Sequence, residues 1–155
     1  MTPAIVTAKN AKIEYTVHHY EHDANSDSYG LEAAQKLQLN AAQVFKTLVI
    51  ETDQNTLAVA VLPVNKKLSM KRIAKLLGVK KVAMAESSKV LRSTGYVLGG
   101  VSPLGQKKRL VTVIEQSACE FEKIYVSAGK RGLEIALNAT DLATLLNAKL
   151  GEISA

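Results

Sequence analysis

Two apolar, β-branched runs separated by a short polar segment constrain the fold of this chain most strongly. The runs cover residues 47–51 and 57–64, and the segment between them reads Thr-Asp-Gln-Asn-Thr. Branched side chains favour strands, and a polar connection of this length is typical of hairpins. The sequence therefore predicts a central antiparallel pair of strands.

A helix follows this pair, with one apolar face and one basic face. Ser69 is a suitable N-cap, and Met70, Ile73 and Leu77 share a face before Gly78, a residue that commonly ends helices. The same signals predict further helices at residues 2–11, 31–40, 86–94 and 142–146, and further strands at 13–19, 110–114, 123–127 and 133–137.

The predicted order brings strands next to strands as often as next to helices. A doubly wound parallel sheet would instead require regular alternation of the two. With 155 residues and 47% hydrophobic content, the chain is large enough to bury a core without metals or disulfides. We therefore expect an α/β fold: a single domain over residues 1–155 with a mixed, mainly antiparallel sheet and flanking helices.

The chain is basic, with 20 Lys and Arg against 14 Asp and Glu and a formal charge of +6. Such an excess favours a polyanionic partner such as nucleic acid, although solvated lysines without a ligand are the alternative. The low aromatic content of 5%, without Trp, argues against a platform for stacked bases. The basic residues cluster at 66–67, 71–75, 80–81, 107–109 and 130–131.

The single cysteine, Cys119, cannot form an intramolecular disulfide, which favours a reducing compartment. Residues 1–10 lack the pattern of a signal peptide, and no run of about 18 apolar residues is present. We therefore expect a cytoplasmic protein that does not engage a membrane.

Common catalytic and metal-binding arrangements are missing from the sequence. His18, His19 and His22 could suggest a metal, but adjacent strand residues face opposite sides, so solvated histidines are favoured. Cys119 has no histidine nearby to act as a base, and Ser102 does not lie in a Gly-x-Ser-x-Gly motif. We expect neither a metal site nor a cofactor.

Two other sequence features are candidates for a catalytic or binding role. Lys46 begins an apolar strand, where a lysine is either a solvated edge residue or is held for its charge. Residues 95–105 contain four glycines, which either form a tight structural turn or direct backbone N–H groups at an oxyanion.

Four motifs, in this order and at coherent spacing, resemble those of the YbaK family. They are Phe-Lys-Thr-Leu-Val at 45–49, Val-Ala-Val-Leu-Pro-Val at 59–64, Gly-Tyr-Val-Leu-Gly-Gly-Val-Ser-Pro-Leu-Gly at 95–105 and Gly-Lys-Arg-Gly-Leu at 129–133. The likeness covers nearly the whole chain. It implies the fold shared with the inserted editing domain of bacterial prolyl-tRNA synthetases.

The resemblance also implies which residues form the site. The essential lysine of the family falls on Lys46, and its Gly-x-x-x-Pro loop falls on Gly99 and Pro103. On this basis we expect Lys46, Gly99, Ser102 and Pro103 to be catalytic, and Tyr20, Tyr29, Gly100, Val101 and Gly129 to bind substrate. At Tyr29 the ring, rather than the hydroxyl, is the expected contact.

The activity implied by the resemblance is that of a free-standing Cys-tRNA(Pro) deacylase, with prolyl-tRNA synthetase as the expected partner. Attack by the substrate's own thiol is the mechanism we favour, and attack by an ordered water is the alternative. Two other functions stay open: an editor of Ala-tRNA(Pro), and a non-catalytic module that binds tRNA or a synthetase. No feature of the sequence predicts an oligomeric state.

Overall fold

Two β-sheets and five α-helices make up the fold, in a computed structural model that describes residues 1–26 and 29–155. The helices are α1 (Pro3–Ala11), α2 (Tyr29–Lys36), α3 (Met70–Leu77), α4 (Ser87–Thr94) and α5 (Ala139–Leu146). The strands are β1 (Tyr15–His19), β2 (Phe45–Thr52), β3 (Leu57–Pro63), β4 (Val82–Met84), β5 (Val111–Glu115), β6 (Ile124–Lys130), β7 (Leu133–Leu137) and β8 (Lys149–Gly151). Short 3-10 helices cover Ala41–Gln43 and Gln116–Glu120.

The larger sheet has the strand order β4-β2-β3-β5-β8. The predicted hairpin is confirmed at its centre, where antiparallel β2 and β3 pair from Phe45 opposite Pro63 to Glu51 opposite Leu57. Strands β3, β5 and β8 run parallel to one another. This sheet is therefore mixed, as expected.

A second, three-stranded antiparallel sheet has the order β1-β7-β6. The prediction of an α/β fold with mainly antiparallel pairing is confirmed, but the strands divide between two sheets instead of forming one. An isolated bridge between Val44 and Tyr125 links the two sheets. The short strands β4 and β8, of three residues each, were not predicted.

The main core lies between the two sheets and combines residues from both. Val59 and Val61 of β3 pack in one cluster with Ile135 of β7. Ala60 and Leu62, on the other face of β3, pack in a second cluster that includes Ile73 of α3. Because β3 is buried on both faces, its sequence is continuously apolar rather than alternating.

Helix α3 begins and ends as predicted. The Ser69 hydroxyl accepts a hydrogen bond from the Arg72 N–H at 3.1 Å, and Gly78 ends the helix at φ +72°. Ile73 is buried, whereas Lys71, Arg72 and Lys75 are exposed. The basic face of α3 is therefore available to a partner. Within residues 1–26 and 29–155, none of the helices has the length and apolarity needed to span a membrane.

Candidate active site

A cavity of about 610 Å³ lies between the start of β2, the start of α2 and the β6-β7 pair. This volume falls in the range of about 300–1,000 Å³ that is typical of small-molecule sites. The cavity is lined by Tyr20, Tyr29, Gly30, Leu31, Phe45, Lys46, Thr47, Leu48, Val64, Asn65, Lys66, Lys67, Leu98, Gly99, Val101, Ser127 and Glu134. Five of the nine expected site residues are among them: Lys46, Gly99, Tyr20, Tyr29 and Val101.

Lys46 is held at a fixed position in the cavity wall. Its Nζ donates a hydrogen bond to the backbone carbonyl of Lys66 at 2.5 Å. Burial lowers the pKa of the Lys46 ammonium group. The exposed Lys66 and Lys67 lie on the same cavity, so the site concentrates positive charge at its rim.

Gly99 occupies a position that only glycine fits without displacing its neighbours. Its φ is +90°, and an added Cβ would lie 2.7 Å from Arg131 Nε and 3.0 Å from the Tyr29 ring. The close approach of these two side chains therefore depends on the missing side chain of Gly99.

The other expected residues of the glycine-rich loop face the protein interior. Ser102 is fully buried, and its hydroxyl accepts a hydrogen bond from the Leu104 N–H at 3.2 Å. Pro103 is buried beside it. Gly100 packs against the backbone of Lys130, and the Gly100 N–H donates a hydrogen bond to the carbonyl of Val97. These residues shape the loop without lining the cavity.

Gly129 likewise lies outside the cavity lining. Its φ is +114°, and an added Cβ would lie 2.9 Å from the Tyr96 ring. The Gly129 N–H donates to the Ser127 hydroxyl at 3.1 Å, and Ser127 does line the cavity. Gly129 therefore contacts a cavity-lining residue, Ser127, without lining the cavity itself.

A polar network supports the Tyr29 side of the cavity. The Arg131 guanidinium stacks on the Tyr29 ring at 3.5 Å, and its NH1 donates to His22 Nε2 at 2.9 Å. Since a guanidinium has no acceptor, His22 Nε2 must be unprotonated, and Nδ1–H donates to Glu32 at 2.7 Å. Burial acts to raise the pKa of Glu32, but hydrogen bonds from His22 and the Asp23 N–H outweigh it and lower that pKa.

The prediction that all three histidines are solvated is therefore wrong for His22. His18 is also partly enclosed, with its ring 5.1 Å from that of Tyr125 in an edge-on arrangement, whereas His19 is exposed. Across the part of the chain that the structure describes, no three His, Cys, Asp or Glu side chains are grouped so as to hold a metal ion. Cys119 is exposed and unpaired with another cysteine.

Glu134 and Thr47 are polar cavity residues that sequence reasoning missed, as are Asn65 and Ser127. Glu134 is only 6% exposed, and burial raises the pKa of its carboxyl to about 8. The Thr47 hydroxyl is buried and has no hydrogen-bond partner among the described residues. Buried polar groups without partners are rare in proteins and frequently mark functional sites. The one available signal for Glu134 was its place within the apolar run 133–137.

Comparison with known proteins gives the family. The model of the aminoacyl-tRNA editing domain matches residues 25–145. EbsC of Enterococcus faecalis, which is named as a Cys-tRNA(Pro)/Cys-tRNA(Cys) deacylase, is 36% identical over 154 residues, covering 99% of this chain and 93% of its own. The chain belongs to the aminoacyl-tRNA editing domain family.

Solved structures share the fold of this editing domain. The hypothetical protein APE2540 superposes with a TM-score of 0.88 at 22% identity, with 99% of each chain covered. A protein described as a trans-editing enzyme for prolyl-tRNA synthetase superposes with a TM-score of 0.83 at 17% identity, covering 99% of this chain and 95% of its own. The predicted resemblance to the editing-domain fold is thereby confirmed.

Proposed function

We propose that this editing domain cleaves the aminoacyl ester of mischarged tRNA, with Cys-tRNA(Pro) as its preferred substrate. The observation that carries the proposal is the meeting of Lys46 and Gly99 at one cavity of suitable size. The 36% identity to EbsC supports the choice of cysteine. Editing is a useful remedy for such a substrate, because a binding site separates amino acids of similar bulk by only about 1–3 kcal/mol.

In this proposal the protein positions the ester and stabilises its transition state. Lys46 holds a phosphate or the terminal ribose of the tRNA, since its compact ammonium is fixed by the Lys66 carbonyl. The N–H groups of Gly99 and Val101 are the donors proposed for the oxyanion, because the Gly100 N–H is already used in a turn. Gly100, Ser102, Pro103 and Gly129 keep the surrounding backbone in place.

The nucleophile proposed is the thiol of the substrate cysteine. No His or Cys lies among the cavity-lining residues of the described chain. The cysteinyl sulfur attacks its own carbonyl carbon, the ester C–O bond breaks, and the 3′ oxygen of the tRNA leaves with the thiol proton. The product is a thiolactone, which water then opens to free cysteine. An intramolecular nucleophile of this kind gains a large proximity advantage.

Replacement of the substrate thiol tests this step. We expect tRNA(Pro) charged with 2-aminobutyrate, which matches cysteine in shape, to bind normally but to lose its ester far more slowly in single-turnover experiments. Rapid cleavage of the 2-aminobutyryl ester would show that water is the nucleophile.

The proposal also covers the domain organisation, the protein partner and the cellular compartment of the reaction. Residues 1–155 form a single editing domain that acts in trans, alongside prolyl-tRNA synthetase, in the cytoplasm where tRNA is charged. A complex with the synthetase would supply tRNA selection. Pull-down of the synthetase with and without tRNA(Pro) would test this partnership.

Substrate choice separates the proposed function from the alternatives. Cys-, Ala- and Pro-charged tRNA(Pro) are each incubated with the protein, and loss of ester is followed with time. We expect rapid clearance of Cys-tRNA(Pro) only. Preferential clearance of Ala-tRNA(Pro) would indicate an alanine editor, and binding without cleavage would indicate a non-catalytic module.

A further inference from the structure

Glu134 lies at the centre of the three-stranded sheet and faces the cavity. It pairs with Ser127 of β6 on one side and with His18 of β1 on the other. Directly paired residues in antiparallel strands present their side chains on the same face. Ser127 and Glu134 both line the cavity, so this face of the sheet forms part of its wall.

The carboxyl group of Glu134 has no stabilising partner in the described part of the chain. Burial is the cause of its raised pKa, and neither a hydrogen bond nor a nearby cation offsets that effect. A buried carboxyl group without a partner destabilises a fold, whereas an apolar residue of similar size would not. The position of Glu134 is therefore best explained by a ligand that enters the cavity.

The basic and imidazole groups around the cavity do not supply the missing partner. The Lys46 ammonium donates to the Lys66 carbonyl and not to Glu134. His18 packs against Tyr125, and burial lowers its pKa, followed by the effect of Lys123. The nearby Tyr20 is a neutral phenol, and its pKa is raised first by burial and further by Glu134, so it supplies no cation either.

Among the cavity-lining residues within 1–26 and 29–155, Glu134 is the one acidic side chain, set against three lysines. A cavity of this composition suits a ligand that is anionic at one end and cationic at the other. The aminoacyl end of a tRNA has this character: phosphates and ribose lie on one side of the ester, and a primary ammonium lies on the other.

We propose that Glu134 is the subsite for the α-ammonium group of the aminoacyl ester. This inference rests on the proposed function and adds to it a specificity-determining residue. When the ammonium enters, it supplies the hydrogen bonds that Glu134 lacks, and the carboxyl group ionises against it. Charge-assisted hydrogen bonds of this kind are about twice as strong as neutral ones. The subsite selects esters that have a free α-amine over those in which it is missing or acylated.

Binding of two stable analogues tests the subsite without requiring turnover. One is adenosine with cysteine in amide linkage at its 3′ position, and the other has 3-mercaptopropanoate instead, which lacks only the amine. By calorimetry at pH 7, we expect the wild-type protein to bind the amine-bearing analogue at least about tenfold more tightly, as one hydrogen bond to a charged group predicts.

Variants of Glu134 then assign that preference to its carboxyl group. Glu134→Gln keeps the size and removes the charge, and we expect it to bind both analogues with equal affinity. Glu134→Asp should keep part of the preference. Glu115→Gln is the matched control, since Glu115 is equally buried at 6% exposure but binds backbone N–H groups away from the cavity, and it should keep the full preference.

The outcomes separate the subsite from the proposed function. Equal binding of both analogues by the wild type, or an unchanged preference in Glu134→Gln, would overturn the ammonium subsite while leaving deacylation intact. A Glu134→Gln variant that keeps the preference but loses turnover would also overturn the subsite, because that result would make Glu134 a proton-transfer group. Failure of the wild type to cleave Cys-tRNA(Pro) would instead contradict the proposed function.

Discussion

At the level of single residues, Gly99 combines a positive φ with close side-chain neighbours in the site. Its positive φ and the nearby Arg131 and Tyr29 side chains leave no room for a Cβ. Tyr29 lines the cavity, and Arg131 stacks on its ring. A change at Gly99 should therefore alter cavity shape as well as stability.

Comparison of two glycine substitutions isolates this steric effect. Gly99→Ala should lower kcat/KM by about tenfold to a hundredfold, since small misplacements in a site have effects of this size. Gly78→Ala is the control, because Gly78 also has positive φ (+72°) but nothing lies within 4 Å of its added Cβ. The Gly78→Ala substitution should lower the free energy of unfolding by about 1–2 kcal/mol and leave activity unchanged. Equal activity of both variants would contradict a steric role for Gly99.

The buried carboxyl groups of Glu134 and Glu32 predict opposite effects of pH on stability. Burial raises the pKa of Glu134 from 4.5 to about 8, so the folded state binds more protons than the unfolded state between these values. Stability attributable to Glu134 therefore falls as pH rises through this window, by at most about 1.4 kcal/mol per pH unit. The pKa of Glu32 is lowered, so its contribution is lost as pH falls below its unfolded value of 4.5.

Denaturant unfolding from pH 5 to pH 8 measures the effect of Glu134, and an extension of the series below pH 4.5 measures that of Glu32. We expect Glu134→Gln to gain stability relative to the wild type as pH rises. Glu32→Gln should be less stable than the wild type at neutral pH, and this difference should shrink in acid. A constant difference between Glu134→Gln and the wild type would show that the Glu134 carboxyl is solvated in the folded protein.

At the level of elements, α3 extends the positive charge of the cavity rim. Lys66 and Lys67 line the cavity, and α3 begins three residues later with Lys71, Arg72 and Lys75 exposed on one face. Helix α3 itself carries no aromatic residue, so its cations are suited to contact phosphates rather than bases. This face is the proposed path of the tRNA acceptor end.

The salt dependence of tRNA binding tests the role of α3. Replacement of Lys71 and Lys75 by Gln should weaken binding and reduce the slope of log K against log salt by about 0.7–0.9 for each phosphate that the protein no longer neutralises. The control replaces Lys9 and Lys12, at the end of α1 and outside the cavity lining, and should leave the slope unchanged. An affinity that does not vary with salt in the wild type would contradict this role of α3.

At the level of the whole molecule, local patterns predicted most elements, but they did not predict how the strands divide. The hairpin of β2 and β3 and the caps of α3 depend on neighbouring residues, so they could be inferred from sequence. The separation into two sheets depends on pairings between distant segments, such as β1 with β7. The three-residue strands β4 and β8 are too short for a periodic signal.

The site was predictable only in part, and for the same reason. Lys46 is visible because a charge interrupts an apolar run, and the Gly99 loop is visible from composition. Glu134 alternates with Leu133 and Ile135, a pattern that normally indicates a solvated face. The structure instead places Glu134 in the wall of the cavity, which this alternation does not reveal.

The central claim is that a fixed cation in this cavity supports cleavage of an aminoacyl ester. Lys46 contacts a single backbone carbonyl and contributes little to the core, so Lys46→Ala should fold with an unchanged Tm. Both Lys46→Ala and Lys46→Arg should have low deacylase activity. Arginine does not rescue it, because a planar guanidinium cannot replace a compact ammonium at one point. Lys67→Ala is the matched control, since Lys67 lies on the same cavity but is exposed.

The most direct measurement is the single-turnover rate of ester loss from Cys-tRNA(Pro) with the wild type, Lys46→Ala and Lys67→Ala. We predict that the rate falls on the order of a hundredfold or more in Lys46→Ala, an effect comparable to removal of one hydrogen-bond donor to the transition state. The rate should change little in Lys67→Ala. Equal rates for the wild type and a folded Lys46→Ala variant would contradict the assignment of this cavity as the active site.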